Sequence, residues 1–402
     1  MFWVSAVLAF YTFLGYPLLL FVRSRWKARP VRRGELQVPI SIVLAVRNEQ
    51  DALPLKLANL LSLDYPAGLC EIIAVSDGSS DATDAILARA AGARLRVLTL
   101  PQPQGKAVAL NRGVEAAGGE IVVFTDARQR IEPDAIRHLV NNFADPSVGA
   151  VSGELIPDGE GAGRGLGVYW QLEKKVRQAA RPPFSGRPPA GRAAAAIRLA
   201  ATRARSAQGA SKLPRWESAG GSAIGATGAL YAVRRSLLTP LPAGTILDDL
   251  YLPMHVVRQG RRVLFEPRAR AHDELADWRH EFRRKVRTLT GNYQLLRLAP
   301  WLLTRANPVR LAYLSHKLLR LLVPFALVAL LLSAAAIRGL FYRVALGLQC
   351  GCYGAALLGR RCRKVFLIGR LAEVSRSFVL LNAAAAVAFF YFVSGKRDVW
   401  AR

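Results

Sequence analysis

The sequence predicts an α/β domain with a mostly parallel sheet, flanked by helices that cross a membrane. Two continuous apolar runs, 72–75 and 121–124, each lead through one hydroxyl residue to an aspartate, and they predict strands buried on both faces of such a sheet. Strand-like and helix-like segments alternate between residues 38 and 157, which is typical of repeated β-α units. Residues 2–22 carry no charge, which predicts a transmembrane helix.

The first element is that N-terminal apolar segment, residues 2–22. The basic stretch that follows, 23–37, predicts a cytoplasmic linker and an outside N-terminus, because positive residues remain on the cytoplasmic side. A cleaved signal peptide is the alternative. It requires a basic region before the apolar run and a small-residue cleavage site after it, and neither is present. We therefore expect a retained helix.

The second part of the chain alternates between strands and helices joined by short loops. Strands are expected over 38–46, 70–76, 94–100, 120–126 and 148–157, and helices over 51–62, 82–92, 105–119 and 133–143. A dinucleotide-binding fold has the same rhythm, but it requires G-x-G-x-x-G directly after the first strand. Residues 46–54 contain no glycine, which argues against that fold.

Asp77 and Asp126 follow two of these strands and mark a candidate site. In open α/β sheets, ligands bind outside the carboxyl ends of the strands. Two such strand ends, about fifty residues apart, indicate one site built by neighbouring strands.

Six short segments together match a known family. They are, in order, VPISIVLAVRNE, VSDGSSD, GKAVALNRG, FTDAR, GATGALYAVRR and ILDDLYLP. In this order they resemble the family 2 glycosyltransferases with a GT-A fold, in the membrane-anchored branch that is similar to cellulose and hyaluronan synthases. The expected GT-A domain covers residues 38–297. The resemblance implies an enzyme that moves a sugar from a nucleotide sugar, UDP-linked, to a polysaccharide or lipid-linked acceptor.

The resemblance also implies where the nucleotide sugar binds. Asp77 is expected to contact the base and ribose, and the loop after the first strand is expected to line the same pocket. Lys106, at the start of its helix, can meet a phosphate with its charge and the free backbone N–H groups; a solvated surface lysine is the alternative. The loop residues are Val46, Arg47, Asn48 and Glu49, with Asp81 and Asp84 as supporting candidates and helix capping as the alternative for Asp81.

A divalent cation, Mg²⁺ or Mn²⁺, is the expected cofactor, because the diphosphate leaving group must be neutralised. The family places a D-x-D pair at this strand end, which makes Asp126 the expected metal ligand. The second carboxylate is missing, since position 128 is an arginine. One aspartate with phosphate oxygens and waters can still hold Mg²⁺, and Arg128 can instead help to neutralise phosphate. A non-catalytic membrane subunit that kept the fold is the alternative.

Asp248 and Asp249 begin a predicted helix. The resemblance implies that Asp249 is the general base and Asp248 its neighbour, whereas two helix N-terminal acids favoured by the dipole are the structural alternative. A carboxylate base implies a single displacement with inversion at the anomeric carbon. Thr227 and Gly228 are expected on the acceptor side.

The segment 284–288 corresponds to the Q-x-x-R-W motif of the processive synthases, and it keeps only the arginine, Arg287. Arg284 shares its helix face, so the pair can clamp a diphosphate. The missing tryptophan favours transfer of one sugar over polymerisation. Farther upstream, the Arg/Ala/Pro-rich segment 181–216 is expected to be a flexible insertion in loose contact with membrane lipids.

The C-terminal quarter of the chain is apolar again. After an interfacial segment at 298–317, three spans are expected at 318–337, 341–359 and 375–394, followed by a tail at 395–402. The formal charge of +28 does not indicate nucleic acid, because no reader motif occurs and the charge clusters beside the apolar segments. We expect a multi-pass protein of the bacterial inner membrane with a cytoplasmic catalytic domain.

Overall fold

The computed structural model describes residues 1–26, 29–158, 212–274, 278–358 and 366–395. Of the insertion predicted at 181–216, only 212–216 fall within these ranges. The C-terminal tail also falls outside them, apart from residue 395.

Eight strands form one sheet. They are β1 (Ile40–Val46), β2 (Cys70–Asp77), β3 (Leu95–Leu100), β4 (Ile121–Thr125), β5 (Arg130–Ile131), β6 (Val148–Asp158), β7 (Leu230–Arg234) and β8 (Arg262–Glu274), in the order β3-β2-β1-β4-β7-β6-β8-β5. The five predicted strands therefore exist, within a few residues of the expected bounds. β7 falls in the segment GATGALYAVRR, where the family resemblance implies a strand, whereas β5 and β8 were not placed by the sequence.

The sheet is parallel through β3, β2, β1 and β4 and again between β6 and β8. β7 lies between β4 and β6 and runs antiparallel to both. The prediction of a mostly parallel sheet is thus confirmed, with one antiparallel strand, β7, near its centre and a second, β5, at its edge beside β8. β1 lies between β2 and β4, so the chain order reverses there, and the carboxyl ends of these three strands meet at one edge.

The helices of the α/β domain cover both faces of the sheet. They are α3 (Leu53–Leu61), α4 (Thr83–Ala90), α5 (Lys106–Ala116), α6 (Ala135–Val140), α7 (Lys212–Ala219), α8 (Asp248–Arg258) and α9 (Trp278–Leu298), after the N-terminal helices α1 (Phe2–Phe10) and α2 (Tyr16–Trp26). Side chains of α3, α4 and α6 pack with Ile42 and Ile72 on one face. Side chains of α5 and α8 pack with Val43 and Ile73 on the other, so alternate residues of each strand enter separate cores.

Three helical segments in the described ranges are long and apolar enough to cross a membrane: Phe2–Trp26, Arg310–Ala336 and Ala372–Val393. They contain α1 and α2, then α10 (Arg310–Tyr313) and α11 (Leu319–Ala336), and the greater part of α13 (Phe366–Val393). The second candidate span begins inside the segment 298–317, and the interfacial position expected for that segment stays a prediction.

The weakest of the four expected spans, 341–359, forms the helix α12 (Leu340–Leu358) but does not reach the apolarity of the other three. Three candidate spans are thus present within the described residues, and the expectation of a fourth at 341–359 stays a prediction. Polar groups explain the difference: Arg343 lies in this helix, and Gln349 donates to the carbonyl of Leu327 at 2.8 Å, tying α12 to α11.

A buried carboxylate joins the candidate membrane spans to the α/β domain. Glu217, on α7, accepts hydrogen bonds from the Tyr16 hydroxyl at 3.0 Å and the Ile224 backbone N–H at 3.4 Å. The Nδ1 of His316 lies 2.9 Å from the same carboxylate. Tyr16 belongs to the first span and His316 to the second, so one side chain fixes both spans against the domain.

Candidate active site

Four charged side chains meet at the edge where β1, β2 and β4 end. The ammonium of Lys106 lies 2.9 Å from Asp126 Oδ1 and 3.0 Å from Asp248 Oδ1. An ideal Cβ on Gly228 would lie 3.3 Å from Asp249 Oδ2 and 3.7 Å from Asp126 Oδ2. We call Lys106, Asp126, Asp248 and Asp249 the carboxylate–lysine cluster. Its members come from three distant parts of the sequence.

Lys106 is the first residue of α5, and the loop before it is held by Asp77. The carboxylate of Asp77, at the buried end of β2, accepts hydrogen bonds from the Gln104 N–H at 2.6 Å and the Gly105 N–H at 2.9 Å. Burial opposes the charge of Lys106, but Asp126 and Asp248 outweigh it and raise the pKa of its ammonium. Asp77 therefore positions the lysine, and its expected contact with the nucleotide stays a prediction.

Asp248 and Asp249 occupy the first turn of α8, as expected. Asp248 is buried, and its Oδ2 accepts the hydroxyl of Tyr231 at 2.9 Å. Burial and the neighbouring charge of Asp248 raise the pKa of Asp249 to about 7, against the opposing charges of Lys106 and Lys317. A carboxyl group with a pKa near neutrality is suited to accept and release a proton.

The segment before these two aspartates is held by α9. The Oε1 of Gln294 accepts the Ile246 N–H at 3.0 Å, and its Nε2 donates to the Gly244 carbonyl at 2.8 Å. Gly291, one turn earlier, lets the helix approach: a Cβ there would lie 2.6 Å from Leu247 Cγ. The backbone that carries Asp248 is thereby fixed against a long helix.

The acceptor-side loop lies beside the cluster. The Thr227 N–H donates to Ser152 Oγ at 3.0 Å, and the Ala226 N–H donates to the Asp249 carbonyl at 2.8 Å. Gly228 follows and faces both Asp126 and Asp249. Both residues predicted for the acceptor side, Thr227 and Gly228, are therefore placed against the cluster.

The loop after β1 packs against the loop after β2. Asn48, with a φ of +52°, accepts the Ser80 N–H on its Oδ1 at 2.8 Å. Val46 is buried at the strand end, and the Glu49 N–H donates to Thr83 Oγ1 at 2.9 Å. The Oδ1 of Asp81 accepts the Thr83 N–H at 2.9 Å, which is the capping role considered as its alternative.

Arg128, which replaces the second carboxylate of D-x-D, turns towards this loop. Its Nε lies 3.2 Å from Glu49 Oε2, and Glu49 is buried. Within the described ranges no group of three or more His, Cys, Asp or Glu side chains has the spacing of a metal site. Asp126 is 40% exposed and open to the cleft. Mg²⁺ and Mn²⁺ accept one carboxylate when phosphates and waters complete the shell, so the residues fit a metal that binds together with the donor.

Arg284 and Arg287 both lie on α9, as predicted. Arg284 pairs with Glu281 at 2.8 Å and with Asp273 at 3.4 Å, while Arg287 is exposed. Among the described residues, neither guanidinium reaches the carboxylate–lysine cluster. Their contact with a diphosphate stays a prediction.

Sequence reasoning missed one buried residue of the site, Lys56 on α3. Its ammonium donates to Thr125 Oγ1 at 2.8 Å and to the Gln129 carbonyl at 2.7 Å. Burial lowers its pKa to about 7, although the charge of Asp126 favours the protonated form. The signal was present, since Lys56 falls on the same helical face as Leu53 and Leu60, and that face is buried.

The geometry can be compared with known proteins. A sequence model of the family described as "Glycosyl transferase family 2" matches residues 41–197. A beta-monoglucosyldiacylglycerol synthase of Trichormus variabilis is 34% identical over 151 residues, covering 36% of this chain and 32% of that protein. A poly-beta-1,6-N-acetyl-D-glucosamine synthase of Staphylococcus epidermidis is 38% identical over 116 residues, covering 28% of each. The chain thus matches less than a third of the length of these relatives.

A solved structure resembles the chain along its whole length. The mannosyltransferase PcManGT from Pyrobaculum calidifontis, in complex with GDP-Man and Mn²⁺, superposes with a TM-score of 0.66 at 22% identity. The superposition covers 98% of this chain and 99% of the other. At this identity the likeness establishes the fold, which is GT-A with flanking membrane helices.

Proposed function

Because the chain belongs to the family 2 glycosyltransferases, we propose that it transfers a sugar from a nucleotide sugar to an acceptor at a membrane surface. The observation that supports this most is the carboxylate–lysine cluster. Lys106 lies between the expected metal ligand and Asp248, and the expected base faces the metal ligand across Gly228. One cleft thus holds a cation for the diphosphate, a ligand for a metal and a base for the acceptor.

The donor half of the proposal uses the edge of the sheet at β1 and β2. The nucleotide binds against the loop at 46–49, beside Asp77, and its diphosphate lies towards Lys106 and Asp126. When bound, Mg²⁺ or Mn²⁺ neutralises the charge that develops on the leaving diphosphate. Lys106 adds a fixed positive charge to the same group, and Arg128 can leave Glu49 for a phosphate because both side chains border the pocket. We propose a UDP-linked donor.

The acceptor half uses Asp249. Its raised pKa, about 7, allows it to take the proton of an acceptor hydroxyl as that oxygen attacks the anomeric carbon. The bond from the acceptor oxygen to the anomeric carbon forms while the bond from that carbon to the diphosphate oxygen breaks. The nucleoside diphosphate leaves with the electron pair. A single in-line displacement inverts the anomeric configuration.

The acceptor is proposed to be a lipid-linked or polysaccharide hydroxyl presented at the cytoplasmic face of a bacterial inner membrane. One observation supports an acceptor at the membrane, and a second supports the cytoplasmic side. Lys317, within the second candidate span, acts electrostatically on Asp249, so the base lies next to the membrane segment. The basic linker at 23–37 favours a cytoplasmic catalytic domain. Membrane lipids and the nucleotide sugar are therefore the proposed partners.

The test is donor turnover by the full-length protein in nanodiscs with Mn²⁺ or Mg²⁺ and a panel of UDP- and GDP-sugars. We expect nucleoside diphosphate release with at least one donor, and loss of at least 10³-fold in Asp249→Asn, which keeps the side-chain shape but cannot accept the proton. Arg112→Ala, a change of an exposed pair with Glu115, is the matched control and should retain activity. If wild type and Asp249→Asn are equally inert with every donor, the chain is a non-catalytic subunit instead.

A further inference from the structure

Lys56 has no part in the chemistry described above. It contacts both sides of the tripeptide 126–128, which carries the expected metal ligand and is called the metal loop below. It is 3% exposed, on the face of α3 that is otherwise occupied by leucines. Burying an ammonium group costs several kcal/mol unless its hydrogen bonds are made, on the order estimated for isolated ions after relaxation. The hydrogen bonds that the buried ammonium makes must therefore offset this cost, and they show which groups Lys56 holds in place.

The two acceptors of Lys56 flank the tripeptide 126–128. Thr125 precedes the tripeptide, and its Oγ1 lies 2.8 Å from the ammonium nitrogen; Gln129 follows, and its carbonyl oxygen lies 2.7 Å away. The same cation therefore contacts the side chain of the residue immediately before the tripeptide and the backbone carbonyl of the residue immediately after it. In the described part of the chain no carboxylate forms an ion pair with Lys56.

The hydrogen bonds around Lys56 continue beyond the metal loop in two directions. The hydroxyl of Thr125, having accepted from Lys56, donates to the Ala229 carbonyl at 2.9 Å. Ala229 follows Gly228, so the acceptor-side loop is tied to the same point. One turn along α3, Asn59 exchanges hydrogen bonds with the backbone of Ile131 at 2.8 and 2.9 Å. α3 thus fixes the whole stretch from the end of β4 to β5.

We propose that Lys56 is a positioning residue that holds Asp126 in the orientation needed to bind a divalent cation together with the diphosphate. The proposal rests on the proposed function of the cleft. The strongest support for the proposal is the residue at position 128. Arg128 supplies no carboxylate to a metal, and its guanidinium pairs with Glu49 instead. With one carboxylate in the loop, metal affinity depends on how well that group is preorganised, and contacts from outside the loop must provide it.

The experiment measures Mn²⁺ binding by electron paramagnetic resonance in the full-length protein, saturated with UDP or, in parallel, GDP. We expect Lys56→Met, which keeps length but removes the donors and the charge, to weaken Mn²⁺ binding at least 10-fold. Binding of the nucleotide without metal should change less than 2-fold. Lys56→Arg should recover part of the loss. Leu55→Ala, on the exposed face of the same helix, is the control and should change neither value.

Thr125→Val provides a second variant if Lys56→Met folds poorly, because it removes one acceptor at nearly constant volume. It should weaken Mn²⁺ binding in the same direction, and it should add less than 2-fold to the effect of Lys56→Met when the two are combined. Unchanged Mn²⁺ affinity in either folded single variant overturns the proposal. If wild type binds no Mn²⁺ with either nucleotide, the proposed function of the cleft fails first, which is a different result.

Discussion

Gly228→Ala should separate catalysis from stability at this site. The added methyl carbon would lie 3.3 Å from Asp249 Oδ2 and 3.7 Å from Asp126 Oδ2, in the space between the proposed base and the proposed metal ligand. Reacting atoms must approach to about 3–3.5 Å, and a displacement of about 1 Å costs on the order of 10²-fold in rate. We therefore expect kcat/KM to fall about 100-fold, equivalent to about 2.7 kcal/mol of transition-state stabilisation.

The stability of the Gly228→Ala variant should change little. The φ of Gly228 is not in the left-handed region, so alanine meets no backbone strain, and the nearest contact requires a shift of only a few tenths of an ångström. Lower entropy of the unfolded chain can even raise stability by about 0.4–1 kcal/mol. Steady-state donor turnover and thermal unfolding on the same samples are the assays, with Gly68→Ala, at an open surface position, as the control. Turnover within 3-fold of wild type would refute the assignment of this space to the reacting groups.

Three further predictions concern the support of the base. In metal-free protein with EDTA, the free energy of unfolding should fall as pH rises from 3.8 to about 7. The reason is that Asp249 binds its proton more tightly in the folded protein than in the unfolded chain. Thermal unfolding of Asp249→Asn should lack this dependence on pH. Tyr231→Phe removes the hydroxyl that Asp248 accepts, and should cost about 1–3 kcal/mol by chemical denaturation. Gly291→Ala places a carbon 2.6 Å from Leu247 Cγ, and should cost about 1–3 kcal/mol and lower turnover.

The parallel half of the sheet could be predicted because its strands have a recognisable apolar sequence pattern. β1, β2 and β4 are continuous apolar runs, and their residues are buried on both faces, as such runs require. The direction of β7 could not be predicted in this way. Strand direction follows from the path of the connecting chain, and a short run such as LYAVR has the same pattern whether it lies parallel or antiparallel.

The candidate site divides similarly. The order of motifs predicted that Asp126 and Asp249 belong to one site, and the structure places both beside Gly228. Motifs gave no account of the groups that hold these carboxylates. Tyr231 is hidden in an apolar strand and Lys56 in a leucine-rich helix, where local patterns indicate core packing rather than polar contacts. Such supporting contacts depend on tertiary distance, which spacing along one segment does not contain.

The Glu217 junction has a consequence for how the protein is made. Glu217 is synthesised long after Tyr16 but well before His316. Its carboxylate can therefore accept the Tyr16 hydroxyl first, and it can bond His316 only once the Arg310–Ala336 helix has been synthesised. The junction is therefore complete only after the second candidate span has been synthesised. A water-soluble fragment cut at either span would bury this carboxylate without one of its partners, and the ribosome-bound nascent chain passes through the same state.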